Sequence, residues 1–291
     1  ARQAEVDQLQ QFSKDAELLK KRKSQLTNLC NMIAASEAGG VLQVQYHRGF
    51  GQIGRRYSSG PSLQKAGTCV RATSKRWYYD IDIMNAHPAI VAFLVSELGA
   101  ESDFPSLVRY GIASKPEREE ILSMVMAAWQ CPRKVAKQLF CSLLNTGTVD
   151  GWQGKNGLLE VQRLFRPEFV QRYEGEASRF VLRMADEHPA IVDLSRRTEQ
   201  DKAATRHDPN TYHKSRALNV KMQEMEDAML STMEKCAIDE GWQFDCLIYD
   251  GALLRKRANR SASDVAELLG FMSAVIEANH GIQVTLSQKE L

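Results

Sequence analysis

The chain has no apolar run approaching the roughly twenty residues that span a bilayer, and no signal-peptide pattern opens it. Neither a membrane partner nor export is expected. No C-x-x-C pair occurs among Cys30, Cys69, Cys131, Cys141, Cys236 and Cys246. That spacing argues against a zinc site or a disulfide framework and for reduced, buried thiols in an intracellular, reducing compartment. There is no internal repeat and no low-complexity tract. Acidic residues are also missing locally. Residues 41–79 contain no Asp or Glu but seven cations: Arg48, Arg55, Arg56, Lys65, Arg71, Lys75 and Arg76. Residues 131–149 are likewise acid-free and carry Arg133, Lys134 and Lys137.

What is present is an ordinary globular composition, 43% hydrophobic and 25% charged, on 291 residues, enough for one sizeable core or two modest ones. The net charge of +2 conceals the two basic stretches and a third cluster, Arg255, Lys256, Arg257 and Arg260. Tyr46, Phe50, Tyr57, Trp77 and Tyr78 are interleaved with the first. Basic segments of this kind suit a phosphate backbone. A solvated surface loop has the same composition.

Apolar residues recurring every three or four positions predict a helix over 4–36. A strand is expected over 41–47, a Gly-rich loop over 49–60 and a second strand over 77–83. Asn85 is placed to cap a helix reaching Leu98. Helices are expected near 115–130, 133–145, 156–165, 167–187, 212–240 and 263–279, with a loop over 199–211. Two short apolar runs around Asp250-Gly251 predict a hairpin, and residues 282–287 a final strand. This order is not the alternation of a doubly wound sheet. It fits an α+β fold, a small, mostly antiparallel sheet with helices on one face and a helical insertion.

Two places set acids on strands. In Asp80-Ile81-Asp82 the period of two puts both carboxylates on one face, about 6.5–7 Å apart. Asp250 stands at the hairpin tip. Rigid carboxylates at strand ends suit Mg²⁺, and phosphoryl transfer uses two such ions. Asp-Gly is equally an ordinary turn pair, and Asp80 and Asp82 could solubilise an edge strand or pair with Arg76. Arg133 and Lys137, four apart, share a helix face and could grip a triphosphate. A basic helix face is also commonly just solvated.

In order, these segments resemble the family A DNA polymerases over residues 54–251. Gly54-Arg55-Arg56-Tyr57-Ser58-Ser59-Gly60-Pro61-Ser62-Leu63-Gln64, with Arg71 beyond, is similar to G-R-L-S-S-S-x-P-N-L-Q and its following Arg. Asp82-Ile83-Met84-Asn85-Ala86-His87-Pro88 falls where the family has D-Y-S-Q-I-E-L. Arg133-x-x-x-Lys137 matches the R-x-x-x-K of the fingers helix. Arg216-x-x-Asn219-x-x-x-Gln223 matches R-x-x-N-x-x-x-Q, and Tyr249-Asp250-Gly251 sits at the H-D-E hairpin. The Asp-Ile-x-Asn-Ala-His-Pro and Tyr-Asp-Gly combination looks like the divergent polymerases of virophages, large DNA viruses and mobile elements.

The resemblance implies a polymerase palm sheet with a large helical fingers insertion. Residues 1–40 would be a reduced, thumb-like helix, 41–100 and 241–291 the two parts of the palm, and 101–240 the fingers and connecting helices. It implies Asp82 and Asp250 as ligands of two Mg²⁺ ions, with Mn²⁺ as a substitute. The resemblance places Arg133, Lys137, Asn85 and His87 at the nucleotide, and Arg55, Gln64, Arg71, Asn219, Gln223 and Tyr249 on the DNA. The family pattern gives no guidance for Asp80. Because Gly251 replaces the second hairpin acid and Asp80 shares a face with Asp82, Asp80 is expected as an outer ligand or holder of a metal-bound water, the alternative being a strand-edge acid paired with Arg76. Primer–template and dNTPs would be the partners, with a helicase or other replication factors in support. The chain departs from the pattern at His87, where the family has its sugar-screening glutamate, and at Asn85, Cys141, Asn145-Thr146 and Gly251. These departures keep two other readings open: a primase or RNA-synthesising polymerase, and an inactive nucleic-acid-binding palm.

Overall fold

The computed structural model describes residues 2–37, 42–66, 68–158, 166–205 and 208–289. Helix α1 (Arg2–Glu37) is the expected N-terminal helix, but Leu18, Leu19, Leu26 and Ile33 on it are exposed. A polar clasp docks it instead. Asn28 Nδ2 donates to the Ser62 carbonyl at 3.1 Å, and Ser62 N donates back to Asn28 Oδ1 at 3.0 Å.

The Gly-rich stretch is not simply a loop. Strand β1 (Gln45–Arg48) pairs antiparallel with β2 (Arg56–Ser59). The turn between them is shorter than composition suggests, and positive φ at Gly51, Gln52 and Gly54 reverses the chain. Then come α2 (Thr68–Ser74), β3 (Tyr78–Ile83), α3 (Ala86–Glu97), α4 (Pro105–Ile112), α5 (Lys115–Trp129) and α6 (Arg133–Leu144). Next, α7 (Val149–Asn156) ends at Gly157, whose φ of 66° closes the helix. The helix expected over 156–165 therefore does not start at 156, and residues 159–165 lie outside those described.

Helices α8 (Glu168–Glu187), α9 (Pro189–Thr198) and α10 (Gln200–Ala204) lead to α11 (Pro209–Asp239). The polar stretch over 199–211, expected as loop, thus holds a short helix and a helix start. Asp208 accepts from the Asn210 and Thr211 amides, and Pro209 at the first helical position is pre-set for the turn. The chain finishes with β4 (Phe244–Ile248), β5 (Gly251–Arg255), α12 (Ala262–His280) and β6 (Leu286–Gln288).

The main sheet is antiparallel in the order β4-β5-β3-β6, so the strand bearing Asp80 and Asp82 is central. Ile81 and Ile83 point away from the acids into one continuous core. That core also holds Ile90 and Leu94 of α3, Met229 and Met233 of α11, and Met272 and Ile276 of α12. Among the described residues, a small apolar patch of Cys246, Ile248 and Leu253 lies on the opposite face beside Leu63 and Tyr78. The fold is α+β, as the sequence indicated, and its helices hold the acid-bearing strand firmly from one side.

Candidate active site

Alternation along β3 and hairpin closure bring the two carboxylates together. Asp82 lies opposite Gly251 in the β3–β5 register, and Ile83 N donates to the Asp250 carbonyl at 3.0 Å. The turn is centred on Tyr249-Asp250 rather than on Asp250-Gly251, with Tyr249 at a φ of 54° and Gly251 already in β5. A Cβ at Gly251 would lie 2.1 Å from the Ile81 carbonyl oxygen. Glycine there lets the hairpin approach β3 closely.

Burial, and then the charge of Asp250, push the Asp82 carboxyl up to about 7 against the pull of Lys289. The two acids are also within side-chain hydrogen-bonding reach of each other. Lys289 Nζ lies 2.7 Å from Asp82 Oδ1. Asp80 is 4% exposed, and neither of its carboxylate oxygens has a hydrogen-bond partner. Burial raises its pKa, opposed by Lys289 and Arg71. Among the described residues no group of three or more His, Cys, Asp or Glu forms a metal cluster. The carboxylates that strand and hairpin bring side by side are Asp82 and Asp250. Two adjacent, mutually repelling carboxylates suit Mg²⁺, which takes one or two protein carboxylates and completes its shell with water and phosphate oxygens.

Helix α6 faces the same place. Cys141 on α6 feels both Lys137 and Asp250, so this helix lies beside the hairpin tip. Lys137 is exposed. Arg133 is not free, because its guanidinium is paired with Glu119 of α5 through Nε at 2.7 Å and through a second nitrogen. The basic face is partly neutralised across a helix boundary.

The acid-free segment 41–79 is neutralised in part in the same way, by α11, which pairs with three of its seven cations. Arg55 donates to Glu226 Oε2 at 2.6 Å, and Arg56 to Asp227 Oδ1 at 2.6 Å and Glu234 at 3.3 Å. Arg48 reaches the other oxygen of Asp227 at 2.6 Å. Adjacent acids on a helix thus hold adjacent arginines on a strand. His87 lies 3.1 Å from the Glu226 oxygen that Arg55 also uses. Glu226 is fully buried, and its Oε1 has no partner. Arg55 in turn sits 5.6 Å from the Tyr249 ring centre. Glu226 and Asp227 are site residues that the motifs missed. The available signal was acids on the same helical stripe as Met222, Leu230 and Met233, where an ionised group requires a cation from elsewhere.

Several expected contacts take other forms. Gln64 is 3% exposed, and its amide braces β2 by accepting from Ser58 N at 2.8 Å and donating to the Arg56 carbonyl at 3.3 Å. That leaves it no surface for DNA. Asn85 adopts a φ of 58° and makes no side-chain cap; its amide donates to the Tyr110 carbonyl at 3.1 Å. In this structure it acts as a buried strut between α3 and α4. Asn219 donates back to the Ser215 carbonyl at 3.1 Å. Gln223 packs against Gly54, where a Cβ would lie 2.9 Å from its Oε1. Tyr249 and Arg71 line an open groove of about 440 Å³ with Lys21, Lys65 and Asn28. No helix among the described residues is long and apolar enough to cross a membrane.

No family model matches the chain, and no curated protein matches it. Among solved structures it is similar to the POL domain of Pol1 from M. smegmatis, determined in complex with DNA primer–template and dNTP. The TM-score is 0.57 at 13% sequence identity, over 94% of this chain and 50% of that one. The chain thus spans half the length of that polymerase domain, and the likeness is one of fold.

Proposed function

We propose that this chain is a template-directed DNA polymerase that adds dNTPs to a primer 3′ end. One observation carries the reading. In a fold similar to a polymerase domain, Asp82 on an inner strand and Asp250 in the adjoining hairpin turn stand side by side, and Asp250 is within electrostatic range of Cys141 on the Lys137-bearing helix. The primer 3′-oxygen would bond to the α-phosphorus while the bond to pyrophosphate breaks. Asp82 and Asp250 would hold Mg²⁺, which supplies charge neutralisation for the attacking and leaving oxygens. Lys137 reaches toward the triphosphate as a point charge, and Arg133 joins it on release from Glu119. Tyr249, Arg71, Lys65 and Lys21 offer the primer–template a basic groove, lined by the residue that precedes Asp250. In this reading α1 serves as a reduced thumb, residues 41–100 and 241–291 as palm, and 101–240 as fingers and connecting helices.

A second reading, RNA synthesis on the same palm, is favoured by His87. It occupies the position of the family's sugar-screening glutamate and is held by Glu226 instead. The test is extension of a primed template with Mg²⁺ and either dNTPs or rNTPs. Asp82→Asn and Asp250→Asn should each abolish extension while leaving the circular dichroism spectrum unchanged. Extension by either variant within tenfold of wild type would overturn the proposal, and extension only with rNTPs would replace it with the second reading.

A further inference from the structure

The β3–β6 register pairs Ile81 with Gln288 and Asp82 with Ser287. Continued by one residue it sets Lys289 opposite Asp80, and Lys289 N does donate to the Asp80 carbonyl at 2.8 Å. Residues directly opposite on an antiparallel pair share a face, with Cβ atoms about 5 Å apart. The direct cross-strand partner of Lys289 is therefore Asp80. Its ammonium nonetheless lies diagonally across the strand, 2.7 Å from Asp82 Oδ1. Asp80 meanwhile is 4% exposed with both oxygens unpartnered. A buried carboxylate left without a partner is costly, and the lysine able to relieve it is occupied two residues away.

From this juxtaposition we infer that Lys289 is a tethered counter-ion with two positions. It neutralises Asp82 when no divalent cation is bound and turns onto Asp80 when a cation takes Asp82. The inference rests on the proposed function only in taking Asp82 and Asp250 as a divalent-cation site. Rotation about the lysine side-chain bonds suffices, because both carboxylates lie on its face of the sheet. Asp80 is then the receiving site for the displaced ammonium rather than a metal ligand, and its burial keeps that second pair strong. Lys289 is a positioning residue. It sets how readily the carboxylate pair exchanges its own cation for an external one.

The test is Mn²⁺ binding to the whole chain, followed by loss of the free-ion electron paramagnetic resonance signal, with Asp82→Asn as the zero. Lys289→Met removes the competitor and should tighten Mn²⁺ binding about two- to fivefold, the upper range of a partly screened ion pair. Asp80→Asn removes the receiving site and should weaken binding by a similar factor. Combined with Lys289→Met, Asp80→Asn should change affinity less than twofold, a non-additivity that a double-mutant cycle reads directly. Lys289→Gln, which keeps a polar end, is the second variant and should behave as Lys289→Met. Equal effects of Asp80→Asn in both backgrounds would overturn the inference, as would Lys289 variants that leave affinity unchanged or weaken it. If Asp82→Asn leaves Mn²⁺ binding intact, the carboxylate pair is not the cation site and the functional reading itself falls. If wild type extends primers but the cycle is additive, only the inference falls.

Discussion

Replacing Gly251 by alanine probes how closely the two carboxylates must be held. The added Cβ would stand 2.1 Å from the Ile81 carbonyl oxygen and 3.1 Å from Asp82 Cα, both backbone atoms of the central strand. A carbon–oxygen contact relaxes only beyond about 3.3 Å, so β5 must retreat from β3 by about 1 Å. That retreat acts on the Asp82–Gly251 register and on the bond from Ile83 N to the Asp250 carbonyl. Overpacking of this size costs about 1–3 kcal/mol, which thermal melting will read. Asp250 moves with its strand, and a misplacement near 1 Å costs about 100-fold in rate. Single-turnover primer extension should therefore fall about 100-fold in Gly251→Ala while the protein remains folded. Extension within threefold of wild type would show that the close approach of hairpin and strand does not set the reaction geometry.

Other perturbations follow from the same geometry. Burial and the charge of Asp250 raise the Asp82 carboxyl from 3.8 to about 7 in the folded chain, so its ion pair with Lys289 forms fully above that window. The native state therefore binds more protons across that window, and its metal-free stability should fall as pH rises through it; melting curves of Asp82→Asn should lack this component. Lys137→Ala should raise the apparent KM for nucleotide more than Arg133→Ala, because Arg133 is already shared with Glu119; steady-state kinetics with varied dNTP decide it. Glu226→Gln leaves Arg55 and His87 without their common anion and should cost about 3 kcal/mol, toward the lower end for breaking a buried pair, seen as a drop of several degrees in melting temperature. With Arg48, Arg55 and Arg56 committed to α11, primer–template affinity should follow salt with a log–log slope of about −2 to −4, at −0.9 per neutralised phosphate. A slope near −6 would mean those arginines leave their acids to meet DNA.

What was legible in the sequence was local. Period-two alternation placed Asp80 and Asp82 on one face, and the Asp-Gly signal found the hairpin, though not its centre. The 3.6-residue period found the long helices. Pairing between distant segments was not legible. The acid-free stretch 41–79 read as a cationic surface because its counter-ions, Glu226, Asp227 and Glu234, lie about 170 residues further on. Lys289 carried no signal at all, since its contact with Asp82 exists only through the β3–β6 register. Gln64 and Asn85 matched or neighboured motif positions, yet burial gave both amides to backbone groups. A pattern of residue types cannot distinguish a side chain that faces a ligand from one that braces the loop beneath it.

Among the described residues the two-stranded ribbon β1–β2 has no sheet neighbour, and an isolated hairpin is marginal in water. The row of ion pairs to α11 anchors it, beside the Gln64 brace on β2 and the bond from Leu247 N to the Tyr46 hydroxyl, so its amides should exchange with solvent deuterium more readily once that helix opens. Glu226→Gln or Asp227→Asn would then speed exchange at residues 45–59 while the central strand keeps its protection. The ribbon carries Arg55 against Tyr249, next to Asp250 at the hairpin tip. The cooperativity of two distant chain segments thus sets how long the edge of the site stays assembled between openings.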